Sequence, residues 1–137
     1  TAFAQGNLGR AIMLANSEHF NEIREEAVQL LKYIHEMELS EILKAVTQIT
    51  AYKLEITDYL DIIMIWYRDV LLYKATKEAG KVVFSDQLTY IKEKASKSSY
   101  EGIEIILDSI EKAKTRLKAN VNFDLVMELL LLTIKEN

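Results

Sequence analysis

The absence of proline limits most strongly what this 137-residue chain can fold into. The chain also has only four glycines, so few residues are present that end helices or form tight turns. Half of its residues are hydrophobic, which is enough to build a core. No strand-like alternation is visible. We therefore predict an all-α fold, an antiparallel bundle of about six helices with short connections.

Apolar spacing and stop signals indicate where these helices lie. The pattern Ser98-x-x-Glu101 predicts a capping box at the start of one of them. In the helix near Ser40, Leu43 is predicted to face inward together with Ile42, Val46 and Ile49. The predicted helices are a short one at about Leu8–Ala15 and others that begin near Glu18, Ser40, Thr57, Ser85, Ser98 and Asn122.

The last predicted helix is apolar on almost every side. Asn122 is its predicted N-cap, because an asparagine side-chain oxygen can accept from the free amides of the next turn. Within the apolar run that follows, only Glu128 and Thr133 are polar. A helix of this kind must be surrounded by protein. We therefore predict that it lies at the centre of the bundle or against a partner chain.

A second unusual segment is Trp66-Tyr67-Arg68-Asp69, inside the longest predicted helix. One interpretation is an aromatic core with a local ion pair. The other is that Arg68 reaches a carboxylate or carbonyl across a subunit boundary, where the planar guanidinium is favoured. The sequence leaves both interpretations open.

The sequence shows no pattern for a catalytic, cofactor or metal site. There is no cysteine, so thiol chemistry and cysteine zinc sites are excluded. Neither His19 nor His35 belongs to a Glu-x-x-His or zincin motif, and no nucleophile elbow or P-loop is present. The longest apolar run, Ile62–Tyr67, is far too short to span a bilayer.

The net charge of −4 gives no case for binding nucleic acid through bulk charge. A basic stretch does follow an acidic one on a single predicted helix, and it consists of Lys112, Lys114, Arg116 and Lys118. It could be a phosphate-binding face. We favour a solvated helix whose charges suit its own dipole.

Three segments together resemble the delta-prime subunits of bacterial DNA polymerase III clamp loaders. The most specific is the Asn120-Val-Asn122 break followed by a leucine-rich helix with one glutamate. The others are Trp66-Tyr-Arg-Asp-Val-Leu-Leu72 and Gln5-Gly-Asn-Leu-Gly-Arg-Ala11. The family often has proline after the second asparagine, where this chain has Phe123.

The resemblance implies that residues 1–16 are the last helix of an AAA+ lid domain and that residues 17–137 are a helical collar. Such collars hold five subunits in a ring. The implied partners are the delta and gamma/tau subunits, with the sliding clamp and DNA reached through the intact complex, in the bacterial cytoplasm and without a membrane. The candidate subunit-interface residues are Trp66, Arg68, Asp69, Asn120, Asn122, Glu128, Leu129 and Leu132.

The opening motif bears on which subunit the chain resembles. Loader subunits that hydrolyse ATP carry Gly-x-x-Arg here, but three positions after Gly6 this chain has Gly9, and Arg10 comes one position late. A degenerate sensor motif implies delta-prime rather than gamma/tau. A gamma/tau collar and an unrelated ligand-binding or regulatory bundle remain alternatives. The ligand-binding alternative predicts a pocket with converging polar groups, and no polar cluster in the sequence indicates one.

Overall fold

The structure is a computed structural model that describes residues 18–137. The predicted helix at Leu8–Ala15 and the Gly6, Gly9 and Arg10 motif lie outside this range. The described part is helical and contains no strand, which confirms the all-α prediction. Its helices are α1 (Glu18–Tyr33), α2 (Leu39–Ile49), α3 (Ile56–Thr76), α4 (Leu88–Lys97), α5 (Tyr100–Lys118) and α6 (Phe123–Glu136).

Helix α3 lies at the centre of the bundle. Every residue from Ile62 to Tyr67 is buried, so this stretch is enclosed on all its sides. Helices α1, α4 and α5 pack around it. The prediction that the last helix could occupy the centre is therefore wrong. Helix α6 buries one stripe only, and its Leu125 and Leu129 are 59% and 48% exposed.

Two pairs of helices run antiparallel, as their side-chain contacts show. Near one end of α3, the Lys114 ammonium of α5 pairs with Asp61. Near the other end, the Tyr100 hydroxyl donates to the carbonyl of Lys74. Helix α6 packs against α5 and α2. It runs opposite to α2, because the Phe123 ring lies under the Lys53 ammonium just after α2 and Lys135 contacts the turn just before α2.

The connection between α3 and α4 is longer than the predicted short loops. It contains two single-turn 3₁₀ helices, Ala79–Lys81 and Ser85–Gln87, and it returns along α3. Phe84 packs on Trp66 with ring centroids 5.6 Å apart, and Lys74 Nζ donates to the carbonyl of Ala95 at 3.1 Å. The segment from Phe84 to Ala95 therefore follows α3 in the same direction.

Three local predictions need correction. Helix α3 begins at Ile56 rather than after a Thr57 cap. Helix α5 is capped by Ser99, whose Oγ accepts from the amide of Gly102 at 2.9 Å, while Ser98 is buried. Two adjacent serines precede this helix, and only the one whose side chain reaches the third amide acts as the cap. Leu43 is 44% exposed, because it lies about 100° around α2 from the buried Ile42.

The junction between α5 and α6 is built by two asparagines. Asn120 has a φ of 61°, the left-handed conformation that ends many helices. The amides of Asn120 and Val121 donate to the carbonyls of Leu117 and Arg116 at 3.1 and 3.0 Å, which is the Schellman pattern. Asn122 Oδ1 accepts from the amide of Leu125 at 3.0 Å, so the predicted N-cap is confirmed.

Candidate subunit interface

The outward side of α6 carries exposed leucines at helical spacing. Leu125 and Leu129 lie one turn apart, and the half-buried Leu132 continues the same stripe. The opposite side of the helix holds the core residues Phe123, Val126, Met127, Leu130, Leu131 and Ile134. Helix α6 therefore has two apolar sides, and residues 18–137 cover only one of them.

The neighbouring helices extend this exposed surface. Helix α5 adds Ile105, which is 43% exposed and lines a groove of about 320 Å³ between α5 and α6 together with Leu129. Helix α2 adds Leu39 and Leu43, which are 58% and 44% exposed. Helical spacing places both on one exposed edge of α2, a helix that packs against α6. We call this set the apolar face: Leu39, Leu43, Ile105, Leu125, Leu129 and Leu132.

Charged side chains border or interrupt the apolar face. Asp108, Lys112 and Arg116 line the α5 side of the groove, and Lys112 pairs with Asp108 at 3.0 Å. Glu128 is half-buried on α6, on the side toward α2. It makes no ion pair with any residue in the described part of the chain. The surface thus combines leucine side chains with a carboxylate that has no ion pair within the described part of the chain.

The predicted interface residues of α3 have other environments. Trp66 is fully buried, and Asp69 is 3% exposed. The aromatic core is confirmed, since Trp66 and Tyr67 are buried, but the described residues show no Arg68–Asp69 ion pair. The Asp69 carboxylate instead accepts from the amides of Val83 and Phe84. Arg68 is exposed and has no ion pair within residues 18–137. Of the three, only Arg68 is available at the surface.

The basic stretch of α5 is used partly within the chain. Lys112 pairs with Asp108 one turn earlier, and Lys114 pairs with Asp61 of α3. These contacts favour the interpretation of a solvated helix with local ion pairs over a phosphate-binding face.

A polar cavity lies between α1, α3 and α4, and no sequence pattern predicted it. It has a volume of about 280 Å³ and is lined by residues that include His35, Trp66, Lys94 and Ser98. These residues come from separate helices and turns, so no helical periodicity could mark them. The one available signal was an indole N–H inside an apolar run, since a buried tryptophan needs a hydrogen-bond acceptor.

No group of three or more histidine or carboxylate side chains within residues 18–137 could hold a metal ion. None of the described helices is long and apolar enough to cross a membrane.

Comparison with known proteins agrees with the resemblance found in the sequence. A curated relative, DNA polymerase III subunit delta′ of Bacillus subtilis (strain 168), is 28% identical over 133 residues. The match spans 95% of this chain and 40% of that relative, so the chain corresponds to less than half of the relative's length. No solved structure matches. Residues 18–136, nearly the whole chain, match the family described as DNA polymerase III, delta subunit, C terminal, and the chain therefore belongs to this family.

Proposed function

We propose that this chain is the non-catalytic oligomerisation domain, or collar, of a delta′ subunit in a bacterial clamp loader. It holds the loader together while a sliding clamp is placed on primed DNA in the cytoplasm. Residues 1–16 are the last helix of the lid, and residues 17–137 are the collar. Its direct partners are the delta and gamma/tau subunits, and the clamp and DNA are reached through the assembled complex.

The observation that carries this proposal is the exposure of the apolar face on and beside α6. Contiguous exposed apolar surface bordered by charged groups is typical of protein–protein interaction sites. Fully burying a leucine side chain contributes roughly 1.5–3 kcal/mol, and each leucine of this face is about half exposed, so its burial contributes roughly half of that. Several leucines on one face therefore provide enough free energy to support a stable contact, even after the entropy cost of association.

Glu128 and Arg68 could make the proposed interface specific for its partners. Each is a charged side chain without an ion pair among the described residues. Charges at the edge of an interface select the partner and its orientation more than they raise affinity. We assign Glu128 to a cationic side chain of a neighbouring subunit and Arg68 to an anionic one. Asn120 and Asn122 act indirectly by fixing where α6 begins.

The mechanical role follows from effective concentration. A collar that joins several subunits turns encounters between their other domains into intramolecular events. The domain has no catalytic task in this scheme. Among the alternatives, gamma/tau is disfavoured because the curated relative is a delta′ subunit. An unrelated bundle is disfavoured by the family match.

The proposal is tested by mixing this chain with purified delta and gamma/tau subunits from the same organism. Size-exclusion chromatography with multi-angle light scattering then measures the mass of any complex. We expect one species that contains all the components. If the chain elutes alone at every ratio, the proposed oligomerisation role is wrong.

A further inference from the structure

The groove between α5 and α6 is apolar along its centre. Both helices contribute to this lining, which consists of Ile105, Ala113, Val126, Leu129 and Leu130. Ile105 and Leu129 are exposed, whereas the other three are buried. The groove has a volume of about 320 Å³, and its α5 side runs from Ile105 to Arg116. At about 1.5 Å per residue, that side is about 17 Å long, or roughly three helical turns.

The uncharged polar groups of the groove already have partners in their own helices. The Ser109 hydroxyl donates to the carbonyl of Ile106 at 2.8 Å, and the Thr133 hydroxyl donates to the carbonyl of Leu129 at 2.8 Å. The backbone groups along the groove belong to α-helices, so they are bonded within α5 and α6. The centre of the groove therefore offers no backbone partners to an incoming chain.

This lack of partners decides which backbone conformation can fill the groove. An extended segment would bury its own amides and carbonyls without hydrogen-bond partners, which is costly. A helix pairs these groups internally, so it can bury an apolar stripe in the groove at no such cost. The occupant that fits is therefore a helix rather than a strand or a loop.

One rim of the groove is charged. Asp108, Lys112 and Arg116 lie at four-residue spacing along α5, so they form a single row. Lys112 pairs with Asp108, and the exposed Arg116 has no ion pair within residues 18–137. A guanidinium at the edge of a contact favours a carboxylate, to which it can donate two parallel hydrogen bonds. The rim therefore favours an acidic residue on the occupant.

We propose that this groove holds an amphipathic helix of a neighbouring loader subunit. The helix presents an apolar stripe of about three turns to Ile105 and Leu129 and a carboxylate to Arg116. Leu129 also belongs to the apolar face, so this contact is continuous with the proposed interface. The inference rests on the proposed function and adds to it the kind of element that the partner contributes.

Photo-crosslinking identifies what lies in the groove. The photoreactive amino acid p-benzoylphenylalanine replaces Ile105 in the full-length subunit. A matched control carries it at Glu111, which is exposed, lies about 120° around α5 from Ile105 and does not line the groove. Each protein is mixed with purified delta and gamma/tau subunits and irradiated, and mass spectrometry maps the crosslinked residues.

We expect position 105 to crosslink to one segment of a partner subunit. That segment should carry apolar residues at helical spacing and an aspartate or glutamate within about three turns. Position 111 should not give this product.

A charge reversal tests the predicted carboxylate. Arg116→Glu places two like charges together across the contact, and it should raise the concentration needed for half-maximal assembly at least about tenfold. Lys118→Glu makes the same change in charge at an exposed residue outside the groove, so it should assemble like the wild type. Replacing the partner's carboxylate with lysine should restore assembly with Arg116→Glu. Circular dichroism checks that the variants fold.

The inference is overturned if position 105 gives no crosslink in the assembled loader. It is also overturned by a crosslink to a segment without an apolar stripe, to a second copy of the subunit or to its own residues 1–17. Equal assembly by Arg116→Glu and Lys118→Glu would overturn it as well. In these cases the wild type still assembles, so the proposed oligomerisation role stands. If the wild type does not assemble with the other subunits, both proposals fall.

Discussion

The Asp69 carboxylate fixes the backbone at Phe84. Its Oδ2 accepts from the Phe84 amide at 2.8 Å, and its Oδ1 accepts from the adjacent Val83 amide at 2.9 Å. These bonds hold the connection between α3 and α4 against the central helix, where the Phe84 ring packs on Trp66. Burial raises the pKa of Asp69, and the two amide hydrogen bonds oppose that rise. Asp69 therefore organises the core from within.

Replacing Asp69 should destabilise the fold strongly. Asp69→Ala leaves two amides without an acceptor, and we expect a loss of about 3 kcal/mol in the free energy of unfolding. Asp69→Asn should lose less, because one amide oxygen remains. Urea denaturation measures both. Asp108→Ala, which breaks an exposed ion pair, is the control and should cost under about 1 kcal/mol. Equal effects of Asp69→Ala and Asp108→Ala would contradict this account.

Removing the Tyr67 hydroxyl should not harm the protein. The oxygen is buried and has no hydrogen-bond partner among the described residues. Because Tyr67→Phe deletes an unsatisfied polar group, its free energy of unfolding should be unchanged or about 1 kcal/mol higher. Tyr67→Ala, which also leaves a cavity, should lose roughly 3–5 kcal/mol. A loss above about 1 kcal/mol in Tyr67→Phe would show that the hydroxyl is bonded.

The α5–α6 junction should respond to substitution according to backbone conformation. Asn120→Gly suits the φ of 61° and should leave stability unchanged or slightly higher. Asn120→Val places a β-branched residue in the left-handed region and should lose roughly 1–2 kcal/mol. Asn122→Ala removes the cap and should lose about 1 kcal/mol. Chemical denaturation compares the three variants, and an Asn120→Val protein as stable as Asn120→Gly would refute the assigned conformation.

The stability contribution of Lys94 should depend on pH. Its pKa falls from 10.5 to about 8 in the folded chain, so between these values the folded state binds fewer protons than the unfolded state. The contribution of Lys94 to the free energy of unfolding therefore rises with pH across that window. Below a pH of about 8, the full cost of burying its charged ammonium is present.

Lys94→Met removes the titration and should be more stable than the wild type at neutral pH. The advantage should shrink as the pH approaches the pKa of free lysine, about 10.4. Urea denaturation of both proteins at several pH values in phosphate-free buffer measures the difference. If the difference in the free energy of unfolding between the two proteins does not vary with pH, the lowered pKa of Lys94 is ruled out.

Local features of the fold could be predicted from the sequence. Which side of each helix is buried against the others could not. The Asn122 cap was predictable because it depends on residues within one turn. The position of α6 was not, because an apolar sequence does not distinguish a helix at the centre from one that exposes a second apolar side. Asp69 looked like the partner of Arg68, its neighbour in sequence. Its actual partners, the amides of Val83 and Phe84, depend on a returning loop with no periodic signal.

The most direct test of the central claim places a charge on the apolar face of the full-length subunit. Leu125→Glu is matched by Val83→Glu, since the two side chains are 59% and 58% exposed and only Leu125 lies on α6. Each variant is mixed with delta and gamma/tau subunits, and light scattering gives the mass of the assembly. Circular dichroism confirms that both variants fold. We predict that Val83→Glu assembles like the wild type and that Leu125→Glu does not. A complete loader containing Leu125→Glu would contradict the proposed interface.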